Sequence, residues 1–247
     1  MCIESDADLH GLQRAGHAVA VTLAEMGAAA RAGMTTGDLD ALAARTLAAL
    51  GARSAPKLVY QFPGHTCISV NEEIVHGVPG PRVLQPGDVV KIDVTAECDG
   101  YIADAATTVL LDPVDAVALR MKQCAVEALA AGLAAARSGR RVSDIGRAVS
   151  GCAEAAGFAV VRELCGHGVG RKIHEQPEVP NYPARFSRTR LARGLVIAVE
   201  PMLSATRSRA METGDGWTIR TKNRSLAVHE EHTIVVTDGA PLVLTAG

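Results

Sequence analysis

Leu84-Gln85-Pro86-Gly87-Asp88-Val89-Val90-Lys91-Ile92-Asp93 is a glycine turn, then a β-branched run, then a carboxylate. Such a run reads as a strand. Leu191-Ala192-Arg193-Gly194-Leu195-Val196-Ile197-Ala198-Val199-Glu200 repeats the same grammar 107 residues later. Outward from these two stretches, each is preceded by a pair of helical segments rich in Ala, Leu and Val. The first pair is predicted over residues 9–32, capped by Asp8 and ended by Gly33, and over 36–50, stopped by Gly51. The second is predicted over 114–136, ending near Gly139, and over 143–156, stopped by Gly157. Arg31, Gly33, Asp38, Leu39 and Gly51 lie 106 residues before Arg137, Gly139, Asp144, Ile145 and Gly157. Shared helix-ending glycines and a shared first-turn aspartate point to an internal duplication. Further strands are expected over 101–111 and 225–236. The expected fold is α+β, with outer helices and antiparallel strands meeting centrally. No Ser-, Gly- or Pro-rich linker divides the chain, so 1–247 reads as one domain with pseudo-symmetric halves of about 9–112 and 113–240.

Aromatic residues make up only 3% of the chain, so its core must be built mainly from Ala, Val, Leu and Ile. The net charge of −2 provides no electrostatic footprint for nucleic acid. The cluster Arg185, Arg188, Arg190 and Arg193 therefore reads as a solvated loop rather than a phosphate track. Cys2, Cys67, Cys98, Cys124, Cys152 and Cys165 show no C-x-x-C spacing and read as reduced, buried thiols. The N-terminus lacks an apolar signal core, and no apolar run approaches the roughly 18 residues a membrane span needs. The expected location is the cytoplasm.

Asp93, Asp104, Glu200 and Glu231 each lie in or beside a strand whose neighbours demand burial. Taken singly, each is also readable as a strand-end acid in solvent or as half of a salt bridge. Taken together, with Asp93 and Glu200 at equivalent places in the two halves, they suggest carboxylates converging on cations. Lys91 is the one nearby basic residue, and strand alternation puts it on the face of Asp93. Two divalent ions would supply the compensating charge. His167 stands among Gly166, Gly168 and Gly170, where missing side chains let backbone approach and uncover the imidazole; a flexible loop with a surface histidine is the other reading. A mainly oxygen set with one imidazole suits Mn(II), Fe(II), Co(II) or Zn(II) better than a thiolate site does.

The order Asp93, Asp104, His167, Glu200, Glu231 resembles the dinuclear site of the methionine aminopeptidases, which have the pita-bread fold. The surrounding segments match as well: Cys-Ile-Ser-Val-Asn-Glu-Glu-Ile-Val-His-Gly-Val-Pro (67–79), Gly-Asp-Val-Val-Lys-Ile-Asp-Val-Thr (87–95), Gly-His-Gly-Val-Gly (166–170), Ile-His-Glu-Gln-Pro (173–177), Glu-Pro-Met-Leu (200–203) and Asp-Gly-Trp-Thr-Ile-Arg-Thr-Lys-Asn-Arg-Ser-Leu (215–226). The resemblance covers nearly the whole chain and is to the bacterial type I form, without a long insertion in the second half or an N-terminal zinc-finger extension. It implies two divalent metals, with Asp93 on one, His167 and Glu200 on the other, and Asp104 and Glu231 bridging. It further implies Glu200 as general base, His174 as a donor to the scissile carbonyl and His76 as a contact to the substrate backbone. From the residues alone, either of the last two is readable as a satisfied core histidine.

The resemblance also implies a methionine pocket from Val59, Phe62, Cys67, His76, Ile173 and Trp217, whose apolar members are alternatively ordinary core. Family members often carry tyrosines where Val59 and Phe62 stand, a second cysteine at Val75, and other residues at His229 and Glu230. Some hold a monovalent cation on backbone carbonyls matching Asn71, Glu73 and Ala227. The implied substrates are N-termini of nascent polypeptides, with a small second residue favoured. Ribosome docking accords with such substrates, though no segment specifies it. A monomer with no nucleic-acid or membrane role is expected. The competing readings are an X-Pro peptidase of the same fold, whose usual extra N-terminal domain has no room before residue 9, and a pita-bread binding protein that has lost catalysis.

Overall fold

The computed structural model of the chain describes residues 1–184 and 189–246. Helix α1 (Asp6–Ala29) starts three residues before the expected position. Its cap is Ser5, whose hydroxyl accepts from the Asp8 N–H at 3.2 Å, and not Asp8 itself. Helix α2 (Thr36–Ala49) opens with a reciprocal Thr35–Asp38 capping box. The first half continues through β1 (Arg53–Ser54), α3 (Ala55–Tyr60), β2 (Cys67–Val70), β3 (Glu73–Val75), β4 (Val89–Cys98) and β5 (Tyr101–Leu110).

The second half opens with α4 (Ala116–Ala135), capped by the Asp115 carboxylate on the Val117 and Ala118 N–H groups, and α5 (Val142–Ala155). The strands that follow are β6 (Ala159–Val160), β7 (Cys165–Gly168), β8 (Glu175–Pro180), β9 (Val196–Val199), β10 (Met202–Ser204), β11 (Ala210–Glu212), β12 (Ile219–Thr221), β13 (Ala227–His229), β14 (His232–Val235) and β15 (Leu242–Val243). Every pairing between these strands is antiparallel.

The expected strand over 225–236 is two strands. After His229 the Glu230 N–H turns to the Pro201 carbonyl and the Glu231 N–H to the Ala106 carbonyl. The chain thereby leaves the β13–β10–β6 sheet and joins the β15–β14–β9–β7–β8 sheet. The long hairpin β4–β5 belongs to a third sheet with β1 and β2. It is sewn to β14 by Thr233, whose hydroxyl accepts from the Asp104 N–H at 2.9 Å and donates to the Asp104 carbonyl at 2.7 Å.

Helices cover this assembly. Leu12, Val19 and Met26 of α1 and Leu39 and Leu47 of α2 pack with Ile92, Val94, Ala103 and Ala105 of the hairpin. Ile145 and Val149 of α5 pack with Ile197, Val199 and Ile234. Each such aliphatic side chain contributes about 1.5–3 kcal/mol on full burial. As expected, the aromatic share of these clusters is small. All six cysteines are free thiols, but only Cys67, Cys98 and Cys124 are buried; Cys152 and Cys165 are half-buried and Cys2 is exposed. Arg190 and Arg193 are exposed, whereas Arg185 and Arg188 lie outside the described residues. Among the described residues no helix is long and apolar enough to cross a membrane.

Candidate metal centre

Antiparallel register places the first two carboxylates. Asp93 stands opposite Ala106 and Asp104 opposite Thr95, so the two acids lie diagonally on one face of the β4–β5 hairpin. The Thr95 hydroxyl donates to Asp104 Oδ1 at 2.9 Å. Glu200 leaves the end of β9 and Glu231 precedes β14, whose His232 pairs with Val199. Both glutamates are thus brought to the same end of two neighbouring strands. His167 comes from β7, next to β9.

Two glycines make room for these strands. A Cβ on Gly166 would fall 2.4 Å from the Ala198 carbonyl oxygen, and one on Gly168 would fall 2.3 Å from that of Gln176. Only glycine lets backbone come this close. His167 Nδ1 faces the Gly168 carbonyl at 2.9 Å. A carbonyl only accepts, so Nδ1 carries the hydrogen and Nε2 keeps its lone pair, as a metal ligand requires. His167 Nε2 lies 3.5 Å from Glu200 Oε1.

The five side chains converge. Asp104, His167 and Glu231 each present an atom within 4.8 Å of the others, and so do Glu200, His229 and Glu231. Burial raises the carboxyl of Glu200 to about 8, with the charge of Asp104 adding to the rise and His167 opposing it. Burial and the neighbouring acids also raise Asp93 and Glu231 well above the carboxylate range, and burial raises Asp104. These are acids held where only a cation makes their ionised forms tolerable. Asp93 Oδ1, Glu231 Oε1 and both ring nitrogens of His229 are buried without a hydrogen-bond partner. Unsatisfied oxygen and nitrogen lone pairs in one cluster fit divalent cations.

All five line one cavity of about 330 Å³ with His76, His174, Phe62, Cys67, Ile173 and Trp217. The ring of Phe62 meets Trp217 edge-on, centroids 5.2 Å apart. His76 adopts a left-handed backbone with φ 58°, uncommon for any residue but glycine. That turn ends β3 and directs His76 into the cavity. Burial lowers the pKa of His76 to about 4, helped by His229 and His167. Burial, then His167 and His76, lower that of His174 to about 4.

Val59 does not belong to this wall; it is 54% exposed. On α3 the residues facing the cavity are Pro56 and Tyr60, four apart, and position 59 falls on the outer face. The Tyr60 hydroxyl lies 2.8 Å from His174 Nδ1. Lys91 shares the face of Asp93, but its ammonium donates to the carbonyls of Asn71 at 2.8 Å and Val89 at 3.2 Å. One of the three carbonyls expected to hold a monovalent cation is therefore already engaged by the Lys91 amine. His229 was legible only as a departure from a family pattern. It sits two residues before Glu231 with Nε2 3.5 Å from Glu200 and 3.7 Å from Glu231.

Comparison with known proteins gives a consistent set of likenesses. A model of the metallopeptidase family M24 matches residues 10–238. Methionine aminopeptidase 2 of Bacillus subtilis is 41% identical over 247 residues, covering 99% of each chain. The crystal structure of methionine aminopeptidase from Thermotoga maritima superposes with a TM-score of 0.96 at 34% identity, covering 100% of both chains. Prolidase from Pyrococcus furiosus, at 19% identity and a TM-score of 0.81, shares the fold; this chain covers 66% of it.

Proposed function

The chain belongs to the metallopeptidase family M24, and we propose that within it the protein is a methionyl aminopeptidase, hydrolysing the bond after an N-terminal methionine. The observation that carries this is the convergence of four carboxylates, three of them buried and Asp93 half-buried, with His167 in one cavity whose remaining wall joins His76 and His174 to largely apolar side chains.

Asp93, Asp104, His167, Glu200 and Glu231 would hold two divalent ions drawn from Mn(II), Fe(II), Co(II) and Zn(II). What such ions add when bound is a water acidified to near neutrality and a polarised scissile carbonyl. Glu200, at the cavity wall, accepts a proton from the attacking water and returns it to the leaving amine. His174 donates to the carbonyl oxygen as charge develops there. His76, turned inward by its left-handed backbone, holds the substrate main chain. Phe62, Cys67, Ile173 and Trp217 form the apolar end that takes the methionine side chain, where the Cys67 thiol offers a soft contact to a thioether. A small second residue is favoured because it must fit beside the ions.

We read residues 1–247 as one catalytic domain with duplicated halves, about 9–112 and 113–240. The helix pairs α1–α2 and α4–α5 support this, each followed by a strand that carries a candidate ligand, Asp93 within β4 and Glu200 just after β9. Its substrates are the N-termini of nascent polypeptides in the cytoplasm, where six free thiols are at home.

The test is cleavage of Met-Gly-Met-Met, Met-Leu-Met-Met and an X-Pro panel by chelated protein reloaded with each metal in turn. Methionine release from the first peptide, less from the second and none from the X-Pro set is expected. Hydrolysis of the X-Pro set in place of the methionyl peptides would overturn the assignment.

A further inference from the structure

Among the described residues, Tyr60 is the one hydrogen-bonded to the ring of a proposed catalytic histidine that the mechanism above leaves without a part. It ends α3, after which Gln61 turns left-handed with φ 58° and sends Phe62 inward. Tyr60 stays 43% exposed while its hydroxyl reaches His174 Nδ1 at 2.8 Å. The two rings lie 5.9 Å apart at a 34° tilt. We propose that Tyr60 is a positioning residue, whose hydroxyl donates to His174 Nδ1 and so keeps the imidazole hydrogen on Nε2. This rests on the donor role assigned to His174 above.

An uncharged imidazole has one N–H and one lone pair. If Tyr60 occupies the lone pair of Nδ1, the hydrogen must sit on Nε2, which can then donate to the substrate carbonyl oxygen. With the hydrogen on Nδ1, Nε2 would offer only a lone pair to that oxygen and would repel it. His167, whose ring centroid is 4.3 Å from that of His174, has the reverse setting. Its Nδ1 faces the Gly168 carbonyl, which cannot donate, so its Nε2 is left bare for a cation. Two adjacent histidines thus need opposite tautomers: the Gly168 carbonyl permits His167 only the one it needs, and the Tyr60 hydroxyl, by donating, gives His174 the other. Burial raises the Tyr60 phenol above its ordinary value, which keeps it protonated and able to donate at neutral pH.

The experiment uses the full chain loaded with diamagnetic Zn(II) and labelled with ¹⁵N-histidine. Nitrogen–proton correlation spectra report the tautomer of each ring, and the His174 signals are identified by their loss in His174→Gln. The expected wild-type pattern is a lone-pair nitrogen at Nδ1 and an N–H at Nε2. In Tyr60→Phe the pattern should become a mixture of tautomers. Its kcat on Met-Gly-Met-Met should drop roughly 10- to 100-fold, the range for lost partners that fix a histidine's tautomer, with KM and zinc content little changed. A wild-type His174 protonated on Nδ1 overturns the proposal. So does a Tyr60→Phe enzyme with wild-type spectrum, whether or not its kcat has changed. The expected spectrum in a wild-type protein that releases no methionine would defeat the assigned activity and leave the tautomer assignment standing.

Discussion

Glu200 is pulled two ways. Its place at the end of β9 removes water from the carboxylate, and its neighbours Asp104 and His167 act on it with opposite sign. Burial wins, and the group rises from 4.5 to about 8. A carboxyl whose folded pKa is raised favours the folded state when protonated. Its contribution is fully present below the unfolded value of about 4.5 and is lost as pH climbs to about 8. In chelator, wild-type protein should therefore lose thermal stability relative to Glu200→Gln between those two values, since the amide does not titrate. His76, His174 and His229, each lowered to about 4, act below pH 6.5 and cancel in the difference because both proteins carry them. Melting curves of the two chelated proteins at pH 5 and pH 8 check this. A difference in Tm that does not move with pH would show that Glu200 ionises freely without metal. At this scale the four candidate carboxylates were legible because acids in β-branched runs are anomalous, and the candidate His167 because glycines surround it. Tyr60 was not, because an outward-facing helix residue and one facing the cavity are adjacent in sequence and only the phase of α3 separates them. His229 was legible only as a departure for a related reason: a buried histidine in a strand looks like core until its unpartnered nitrogens are seen.

Among the elements, β7 is tightly constrained. It runs between β8 and β9, and both its inner glycines are in backbone contact that leaves no space for a methyl group. The glycines around His167 were readable as close approach, and so were the four main helices, whose ends carry Gly33, Gly51, Gly139 and Gly157. The strand expected over 225–236 was read as continuous because its alternation hides the backbone switch at Glu230 and Glu231, which depends on partners far away in sequence. Gly168→Ala should push β8 from β7, costing about 1–3 kcal/mol as overpacking does. It should also weaken metal binding, since His167 is the next residue. Urea midpoints with chelator and calorimetric titration with Mn(II) measure the two effects. A variant that unfolds at the wild-type midpoint and binds Mn(II) with unchanged affinity would mean that β7 can shift without disturbing the site.

Across the whole molecule the candidate ligands come from two sheets. Asp93 and Asp104 ride on β4–β5, while His167, Glu200 and Glu231 ride on the sheet containing β7, β9 and β14. Without cations these acids repel across the junction, which direct hydrogen bonds hold together near the site. Two of them belong to the Thr233 hydroxyl and a third joins the Glu231 N–H to the Ala106 carbonyl. Thr233→Val keeps the shape of the side chain but strands the buried N–H and carbonyl of Asp104, a loss of about 1–3 kcal/mol. Cations that bind ligands from both sheets stabilise the folded state by mass action, about 2.7 kcal/mol at a hundredfold excess over Kd. They also fix Asp104 independently of Thr233. The substitution should therefore lower stability more in chelator than with saturating Mn(II), because only in chelator does the hydroxyl alone hold Asp104 across the junction. Denaturant unfolding of both proteins under both conditions completes the cycle. Equal losses with and without Mn(II) would show that the ions and the Thr233 seam act on separate parts of the molecule.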